Sequence, residues 1–297
     1  MAGIRSVLVG LDGSAHSLVA LRWAGWCAAA TGADLHVAHA WQQGPPLDGA
    51  LGAGIADAAD LEAAVERRLR QLAAAELRDP GAVAGARALR GEVPTALTRE
   101  AARLDAGLVV VGARGAGNAL RALLGSTASR LTECPVRAVA VVPDDAEVPP
   151  RSGAGLLVGV DGSTGASRAV RWAAAVARAA RRPVVAVHAF EPGVPDLTPE
   201  EGESLLGEAR LRLDEEWVAP LRARGVEHRT VVEPGDPRDV LPRVADAERP
   251  AGVVVGSRGL GPISQRLLGS VTHHLLRTLA WPTVVIPAPR DCVVWSP

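Results

Sequence analysis

Two residue types are missing from this chain of 297 residues: it contains no tyrosine, and every one of its 32 Lys-or-Arg positions is arginine. The absence of lysine excludes a Walker A loop, in which a lysine contacts the β- and γ-phosphates of a nucleotide. It also excludes a Schiff-base lysine, and with it pyridoxal-phosphate chemistry. A protein kinase needs a lysine on its third strand, so that class is excluded as well. Any phosphate site in this protein must therefore rely on other groups.

Cysteines and long apolar runs are also sparse. Cys27, Cys134 and Cys292 stand far apart and form no C-x-x-C pair. This odd, scattered set predicts unpaired thiols in a reducing cytoplasm and argues against a disulfide framework or a zinc site. No apolar run approaches the ~18 residues of a membrane-spanning helix, and the first residues lack the pattern of a signal peptide. With a net charge of −1, we expect a cytoplasmic protein with neither nucleic-acid nor membrane partners.

The chain contains an internal repeat. Val7–Trp41 aligns without a gap with Leu156–Phe190 at an offset of 149 residues, and Val109–Ser126 aligns with Val253–Ser270 at an offset of 144. Both copies carry V-G-x-D-G-S in the first block and G-x2-G-x9-G-S in the second. Two blocks repeated in the same order indicate a tandem duplication. The repeated unit has about 140 residues, long enough for a domain with its own core.

The duplication predicts two domains, residues 1–143 and 154–290, joined by a linker at 144–153 that is charged and then rich in proline, glycine and serine. Residues 42–56 are expected to form either a surface loop or an unstructured segment without a role. The next proline follows the serine of the second block by 9 positions in copy one and by 12 positions in copy two. The last helix of copy one is therefore expected to be shortened, or to have its end rearranged around Cys134 and Pro135.

Strands and helices alternate within each copy. Short apolar runs such as Val7–Leu11 and Leu108–Val111 are typical of parallel strands buried on both faces. Ser14 and Ser163 stand where a helix N-cap belongs. One continuous charged helix is expected over Pro199–Arg224. The alternation predicts an α/β fold with five parallel strands in each copy and helices on both faces of the sheet.

The repeated motifs fall where such sheets bind ligands, at the carboxyl ends of the strands where the strand order reverses. Glycines allow the backbone to approach an anion closely and to direct N–H groups at it. A Gly-Ser pair that opens a helix adds a hydroxyl and a helix N-terminus, which favours an anion by about 0.3–1 kcal/mol. Each copy therefore predicts a phosphate-binding site.

This duplicated combination resembles the ATP-binding class of the universal stress protein family, and the likeness covers nearly the whole chain. The resemblance implies two tandem, doubly wound, five-stranded domains of the Rossmann-like (HUP) type that pack as a pseudo-dimer, with further association into a homodimer. It implies ATP, with or without Mg²⁺, as the ligand. Asp12 and Asp161 would lie beside the ribose or its metal, and Ala40 and Ala189 would contact adenine through the backbone. The implied nucleotide-binding residues are Gly10, Asp12, Ala40, Gly112, Arg114, Gly115, Gly125, Ser126 and Thr127 in copy one, and Gly159, Asp161, Ala189, Gly256, Arg258, Gly259, Gly269, Ser270 and Val271 in copy two.

Structural roles remain open for the same residues. The loop arginines could be solvated or lie between domains, the glycines could serve only turns, and the two aspartates could only cap helices. His39 and His188, which lie inside predicted strands, are expected to be core histidines rather than catalysts.

Three functions are compatible with the sequence. The first is a non-catalytic, ATP-binding regulator of the stress response or dormancy, favoured because phosphate sites recur whereas no nucleophile or general base does. The second is an enzyme of the same superfamily, either a slow ATPase or a relative of the ATP pyrophosphatases. The latter carry S-G-G-x-D-S after the first strand, where this chain has only Asp-Gly-Ser. The third is a structural dimerisation module that pairs through its terminal strands, Val136–Val142 and Thr283–Ile286.

Overall fold

In the computed structural model the chain divides into two compact units. The N-terminal unit comprises Ile4–Leu131 and Val139–Pro149, and the C-terminal unit comprises Thr132–Ala138 and the chain from Pro150 onward. None of the described helices is long and apolar enough to cross a membrane. The structure describes residues 4–41, 58–79, 81–115, 124–190, 198–260, 268–278 and 280–288.

The N-terminal unit is built on a five-stranded sheet. Its strands are β1 (Ser6–Gly10), β2 (Asp34–Trp41), β3 (Val83–Arg90), β4 (Leu108–Gly112) and, from Val139 onward, β5 (Ala138–Val142). Its described helices are α1 (Ala15–Thr31), α2 (Ala58–Glu76), α3 (Val93–Arg103) and, up to Leu131, α4 (Ser126–Glu133). β1 pairs in parallel with β2 and β4, and β2 pairs in parallel with β3. The strand order is β3-β2-β1-β4-β5, so the chain changes direction across the sheet between β1 and β4.

The C-terminal unit has the same topology. Its strands are β6 (Leu156–Gly159), β7 (Val184–Phe190), β8 (His228–Pro234), β9 (Gly252–Gly256) and β10 (Thr283–Ile286), and its described helices are α5 (Thr164–Ala180), α6 (Pro199–Arg212), α7 (Ala219–Ala223), α8 (Pro237–Glu248) and α9 (Ser270–Thr278). The order β8-β7-β6-β9-β10 again reverses between the first and fourth strands, β6 and β9. The predicted α/β fold with five strands in each copy is therefore confirmed.

The central strands are apolar because they are covered on both faces. In β1 and β4 every residue except the final glycine is buried, as expected for a parallel strand between two helical layers. The register pairs Val9 with Val110 and, in the second unit, Val158 with Val254. This pairing brings the carboxyl ends of the two central strands side by side in each unit.

The helices that follow the first strands begin at the predicted caps. The Ser14 hydroxyl oxygen accepts a hydrogen bond from the Ser17 N–H at 3.2 Å. The Ser163 hydroxyl oxygen accepts one from the Ala166 N–H at 3.1 Å. Each satisfies a backbone donor that has no partner within the helix.

The single long helix predicted over Pro199–Arg224 is wrong. It is interrupted by a π-helical turn at Leu213–Trp217, where the Val218 N–H donates to the Leu213 carbonyl oxygen at 3.2 Å. Leu213 and Val218 are both fully buried. In a regular α-helix, residues five apart point in different directions, and the wider π turn brings these two toward the same core.

The prediction of unpaired thiols is also wrong, because Cys134 is disulfide-bonded. Cys27 is free and buried, and Cys292 lies outside the described residues. The spacing of the cysteines along the sequence gives no signal of this bond. The cysteine pattern therefore gives no support for a reducing compartment. The shortened last helix of copy one is a small effect in the described chain, since α4 has 8 residues and α9 has 9.

Candidate functional site

Each unit has a cavity at the carboxyl ends of its two central strands. The cavity of the N-terminal unit has a volume of about 400 Å³ and that of the C-terminal unit about 900 Å³. Both volumes lie in the range of small-molecule sites. All nine residues predicted for copy one line the first cavity, and all nine predicted for copy two line the second. The structure thus brings together residues that are more than 100 positions apart in each copy.

The Asp-Gly-Ser turn forms one wall of each cavity. Asp12 Oδ1 accepts hydrogen bonds from the Ser14 N–H at 3.0 Å and from the Ser14 hydroxyl at 2.6 Å. Asp161 Oδ1 accepts one from the Ser163 N–H at 3.0 Å. The serines cap the helices, so the alternative in which the aspartates are the caps is wrong. The aspartates instead hold the turn closed with one carboxylate oxygen.

The other oxygen of each aspartate faces the glycine loop. A Cβ atom placed on Gly115 would lie 2.7 Å from Asp12 Oδ2, and one on Gly259 would lie 2.3 Å from Asp161 Oδ2. In the C-terminal unit the Leu260 N–H also donates to Asp161 Oδ2 at 3.1 Å. A side chain at either position would therefore have to displace the aspartate carboxylate from the loop.

The later glycine of each loop closes the loop on itself. The Gly125 N–H donates to the Ala113 carbonyl oxygen at 2.8 Å, and the Gly269 N–H donates to the Ser257 carbonyl oxygen at 2.9 Å. A Cβ atom on Gly125 would lie 3.2 Å from that same Ala113 oxygen. These two amides are therefore engaged within the loop and are not available to an anion.

The residues that follow each later glycine begin a helix. The first helical hydrogen bonds run from Ser129 to Gly125 in α4 and from His273 to Gly269 in α9, each at 2.9 Å. The backbone N–H of the serine that opens each helix comes before the first of these donors in the sequence, so it has no acceptor within the helix. Helix N-termini attract anions for this reason. The intervening loop residues, 116–123 and 261–267, lie outside the described residues.

The two strand histidines line the cavities rather than the core. His39 Nδ1 lies 2.7 Å from the Leu11 carbonyl oxygen, and His188 Nδ1 lies 2.8 Å from that of Val160. Because a carbonyl oxygen only accepts, Nδ1 is the protonated nitrogen, which leaves Nε2 as the acceptor of the neutral ring. Both side chains are half-buried and contribute to the cavity wall, so the expectation that they belong to the core is wrong.

One wall of the larger cavity was not predicted from the sequence. Side chains of α6 and of the π-helical turn line it, among them Arg212, Glu216 and Trp217. Their position depends on the π turn, for which the sequence carries no recognised signal. The chain after β2 in the N-terminal unit, residues 42–57, which includes the predicted surface loop, lies outside the described residues. Among the described residues, no group of three or more His, Cys, Asp or Glu side chains is placed to hold a metal ion.

Comparisons with known proteins agree with the duplication. The model of the universal stress protein family matches residues 3–143 and again residues 155–287. A universal stress protein of Mycobacterium tuberculosis is 31% identical over 94% of this chain and 95% of its own length. One of Mycolicibacterium smegmatis is 31% identical over 94% of this chain and 96% of its own length.

Other relatives are matched over a shorter part. A second group of mycobacterial universal stress proteins is 36% identical, but the match covers 61% of this chain and 62% of those proteins. Among solved structures, a universal stress protein of Archaeoglobus fulgidus superposes with a TM-score of 0.64 at 18% identity, covering 95% of this chain and 98% of that one. At this identity the likeness shows the fold alone. The family model, matched twice, shows that the chain belongs to the universal stress protein family and carries two family domains in tandem.

Proposed function

We propose that each unit binds an adenine nucleotide in its cavity and that the protein is a non-catalytic, nucleotide-dependent regulator of the stress response or dormancy in the cytoplasm. One observation carries the proposal. The same nine positions of each copy, selected from the sequence as a nucleotide site, line one cavity in each unit. Both copies of the motif are folded into the same arrangement, as expected if both serve a ligand.

The residues present fit the parts of such a ligand. The phosphates would lie at the N-termini of α4 and α9, where amides of the first turn have no acceptor within the helix. The carboxylates of Asp12 and Asp161 would accept hydrogen bonds from ribose hydroxyls. The base would lie at the ends of β2 and β7, beside the backbone of Ala40 and Ala189 and near the strand histidines. A Mg²⁺ ion entering with ATP would take much of its coordination from phosphate oxygens and water, as this ion usually does.

A nucleotide in this position would act on the glycine loop. Asp161 Oδ2 accepts a hydrogen bond from the Leu260 N–H at 3.1 Å, and a ribose hydroxyl would share or replace that bond. The loop is also joined to the sheet, since the Ser257 N–H donates to the Ile286 carbonyl oxygen at 2.8 Å. Binding would therefore change the contacts of a surface loop, which is the change that a regulator requires.

Isothermal titration calorimetry of the full chain with ATP, ADP and AMP tests the proposal. We expect saturable binding with up to two nucleotides per chain. If none of the three nucleotides binds at high micromolar concentration, the proposal is overturned. Measurement of the phosphate released from ATP separates the regulator from a slow ATPase. If the chain releases phosphate steadily and the double variant Asp12→Ala, Asp161→Ala does not, the slow ATPase is favoured over the non-catalytic regulator.

The association of two chains is part of the same proposal. It stems from the family resemblance. Light scattering on the purified full chain measures its mass in solution. A measured mass of one chain at micromolar concentration would overturn the proposed homodimer and would leave the proposed nucleotide sites standing.

A further inference from the structure

The two loop arginines occupy equivalent positions of the two copies. Arg114 and Arg258 each stand two residues after the glycine that ends the fourth strand of their unit. In the N-terminal unit Arg114 forms an ion pair with Asp144. The Asp144 carboxylate also lies 2.6 Å from Nδ1 of His16. The sequence analysis assigns Asp144 to a linker, whereas in the structure its carboxylate contacts Arg114 of the glycine loop.

The C-terminal unit has no carboxylate at this position. The residue after the strand-four glycine donates to Val142 in one unit and to Ile286 in the other, each at 2.8 Å. Two residues beyond these acceptors stand Asp144 and Ala288, which are therefore equivalent. The backbone N–H of Ala288 instead donates to the Ser257 hydroxyl oxygen at 3.0 Å.

The histidine of the N-terminal unit has no equivalent either. Gly165 takes the place of His16, and a Cβ atom there would lie 2.2 Å from the Arg258 carbonyl oxygen. No side chain fits at that position. The arrangement of Arg114, Asp144 and His16 is therefore specific to the N-terminal unit.

The pair is placed to affect ligand charge. The side chains of Arg114 and Asp144 are 15% and 17% exposed, so solvent screens their charges less than those of surface pairs. Arg114 lines the cavity whereas Asp144 does not. The Asp144 carboxylate thus neutralises the Arg114 guanidinium from the side away from the cavity. Its negative charge also stays close to the place where phosphates would lie.

We propose that Asp144 determines the charge preference of the N-terminal cavity. With its arginine neutralised, this cavity favours adenine ligands with few phosphates over ATP. Asp144 is a positioning residue, because it acts through Arg114 and not by contact with the ligand. The proposal rests on the nucleotide-binding function proposed above.

Photo-crosslinking of the full chain tests it, because it assigns each bound ligand to a unit. The probes are 8-azido-ATP and 8-azido-AMP, and the labelled peptides are identified by mass spectrometry. In the native chain we expect the N-terminal unit to be labelled preferentially by the AMP probe. Asp144→Ala, which installs the residue of the other unit, should raise the ATP-to-AMP labelling ratio of the N-terminal unit about tenfold, since a charge-assisted interaction is gained. Asp144→Asn keeps the shape of the side chain and should give the same result.

The matched control is Asp145→Asn, which removes the same formal charge from an exposed neighbour. It should leave the ratio unchanged, and the C-terminal unit should be labelled alike in every variant. An unchanged ratio in both Asp144 variants, with both units labelled, overturns this inference and leaves the proposed function standing. If neither unit is labelled specifically by either probe and calorimetry detects no nucleotide binding, the proposed function itself is overturned.

Discussion

The ring of Trp217 lies nearly perpendicular to that of His188, at 73°, with 5.0 Å between the ring centroids. The same indole covers the Asp-Gly-Ser turn, since a Cβ atom on Gly162 would lie 2.8 Å from it. In the N-terminal unit the equivalent histidine, His39, stacks on Trp41 of its own strand, at 5.7 Å and 22°. The C-terminal cavity therefore has an aromatic wall that comes from the π-helical turn.

If a purine nucleotide occupies this cavity, Trp217 should respond to it. Stacking of a base on an aromatic side chain contributes roughly 1–3 kcal/mol, so Trp217→Ala should weaken binding at the C-terminal site about tenfold. Trp217→Phe should remove most of the nucleotide-induced change in tryptophan emission. Trp281→Phe is the control, because Trp281 packs in the same unit without lining the cavity. Full retention of the emission change in Trp217→Phe would rule out contact between the base and this ring.

Gly259→Ala adds one methyl group to the glycine loop and should affect nucleotide affinity more than the stability of the fold. A Cβ atom on Gly259 would lie 2.3 Å from Asp161 Oδ2, so Gly259→Ala should push the carboxylate away from the Leu260 N–H. We expect the nucleotide affinity of the C-terminal cavity to fall tenfold or more. The free energy of unfolding should change by less than about 2 kcal/mol, because the strain lies in a surface loop. Calorimetry and urea unfolding measure the two effects.

Gly202→Ala serves as the control for that substitution. Its Cβ atom, within α6, would meet no described heavy atom within 4 Å. Nucleotide affinity should therefore stay the same, and the helix should gain up to about 1 kcal/mol of stability. Equal binding by the Gly259→Ala variant and the native chain would show that the contact between Asp161 and the loop is not needed for the site.

Stability should depend on pH through Glu100. This carboxylate is 5% exposed and accepts hydrogen bonds from Arg103 Nε at 2.9 Å and Nη2 at 2.7 Å. The hydrogen bonds from Arg103 hold the pKa of Glu100 below its usual value. The unfolded chain therefore binds a proton more readily than the folded one. The stabilisation is present above the ordinary glutamate pKa of about 4.3 and is lost as the pH falls through the lower, folded-state pKa.

Urea unfolding between about pH 3 and pH 6 should show this loss. Glu100→Gln should make the free energy of unfolding less dependent on pH over that range. Glu203→Gln, at an exposed position on α6, should leave the slope unchanged. If the slopes of the native chain and Glu100→Gln coincide, the pair with Arg103 does not contribute to acid sensitivity.

The sequence predicts the sheet and the composition of both cavities because these depend on local patterns. Apolar runs mark the central strands, and Ser14 caps its helix through a bond to a residue three positions away. Parallel pairing then brings the ends of β1 and β4 together without further information. Nine motif residues of each copy consequently line one cavity.

Features that depend on contacts between distant residues were not predicted. Asp144 has the composition of a linker, and only the fold places it against Arg114. Trp217 reaches its cavity because a π turn shifts the helix by a fraction of a turn, which helical periodicity does not reveal. The disulfide of Cys134 likewise has no signature in local spacing.

The cysteines give a last prediction, on accessibility. Burial raises the pKa of the Cys27 thiol to about 12, so at neutral pH it is neither ionised nor in contact with solvent. Because the thiolate is the nucleophile, iodoacetamide should not modify Cys27 in the native chain. It should do so after unfolding in guanidinium without reductant, whereas Cys134 should be modified only once a reductant is added. Mass spectrometry of the peptides separates the two residues. Modification of Cys134 in the unfolded, unreduced chain would show that the disulfide does not form, and modification of Cys27 in the native chain would show that α1 opens to solvent.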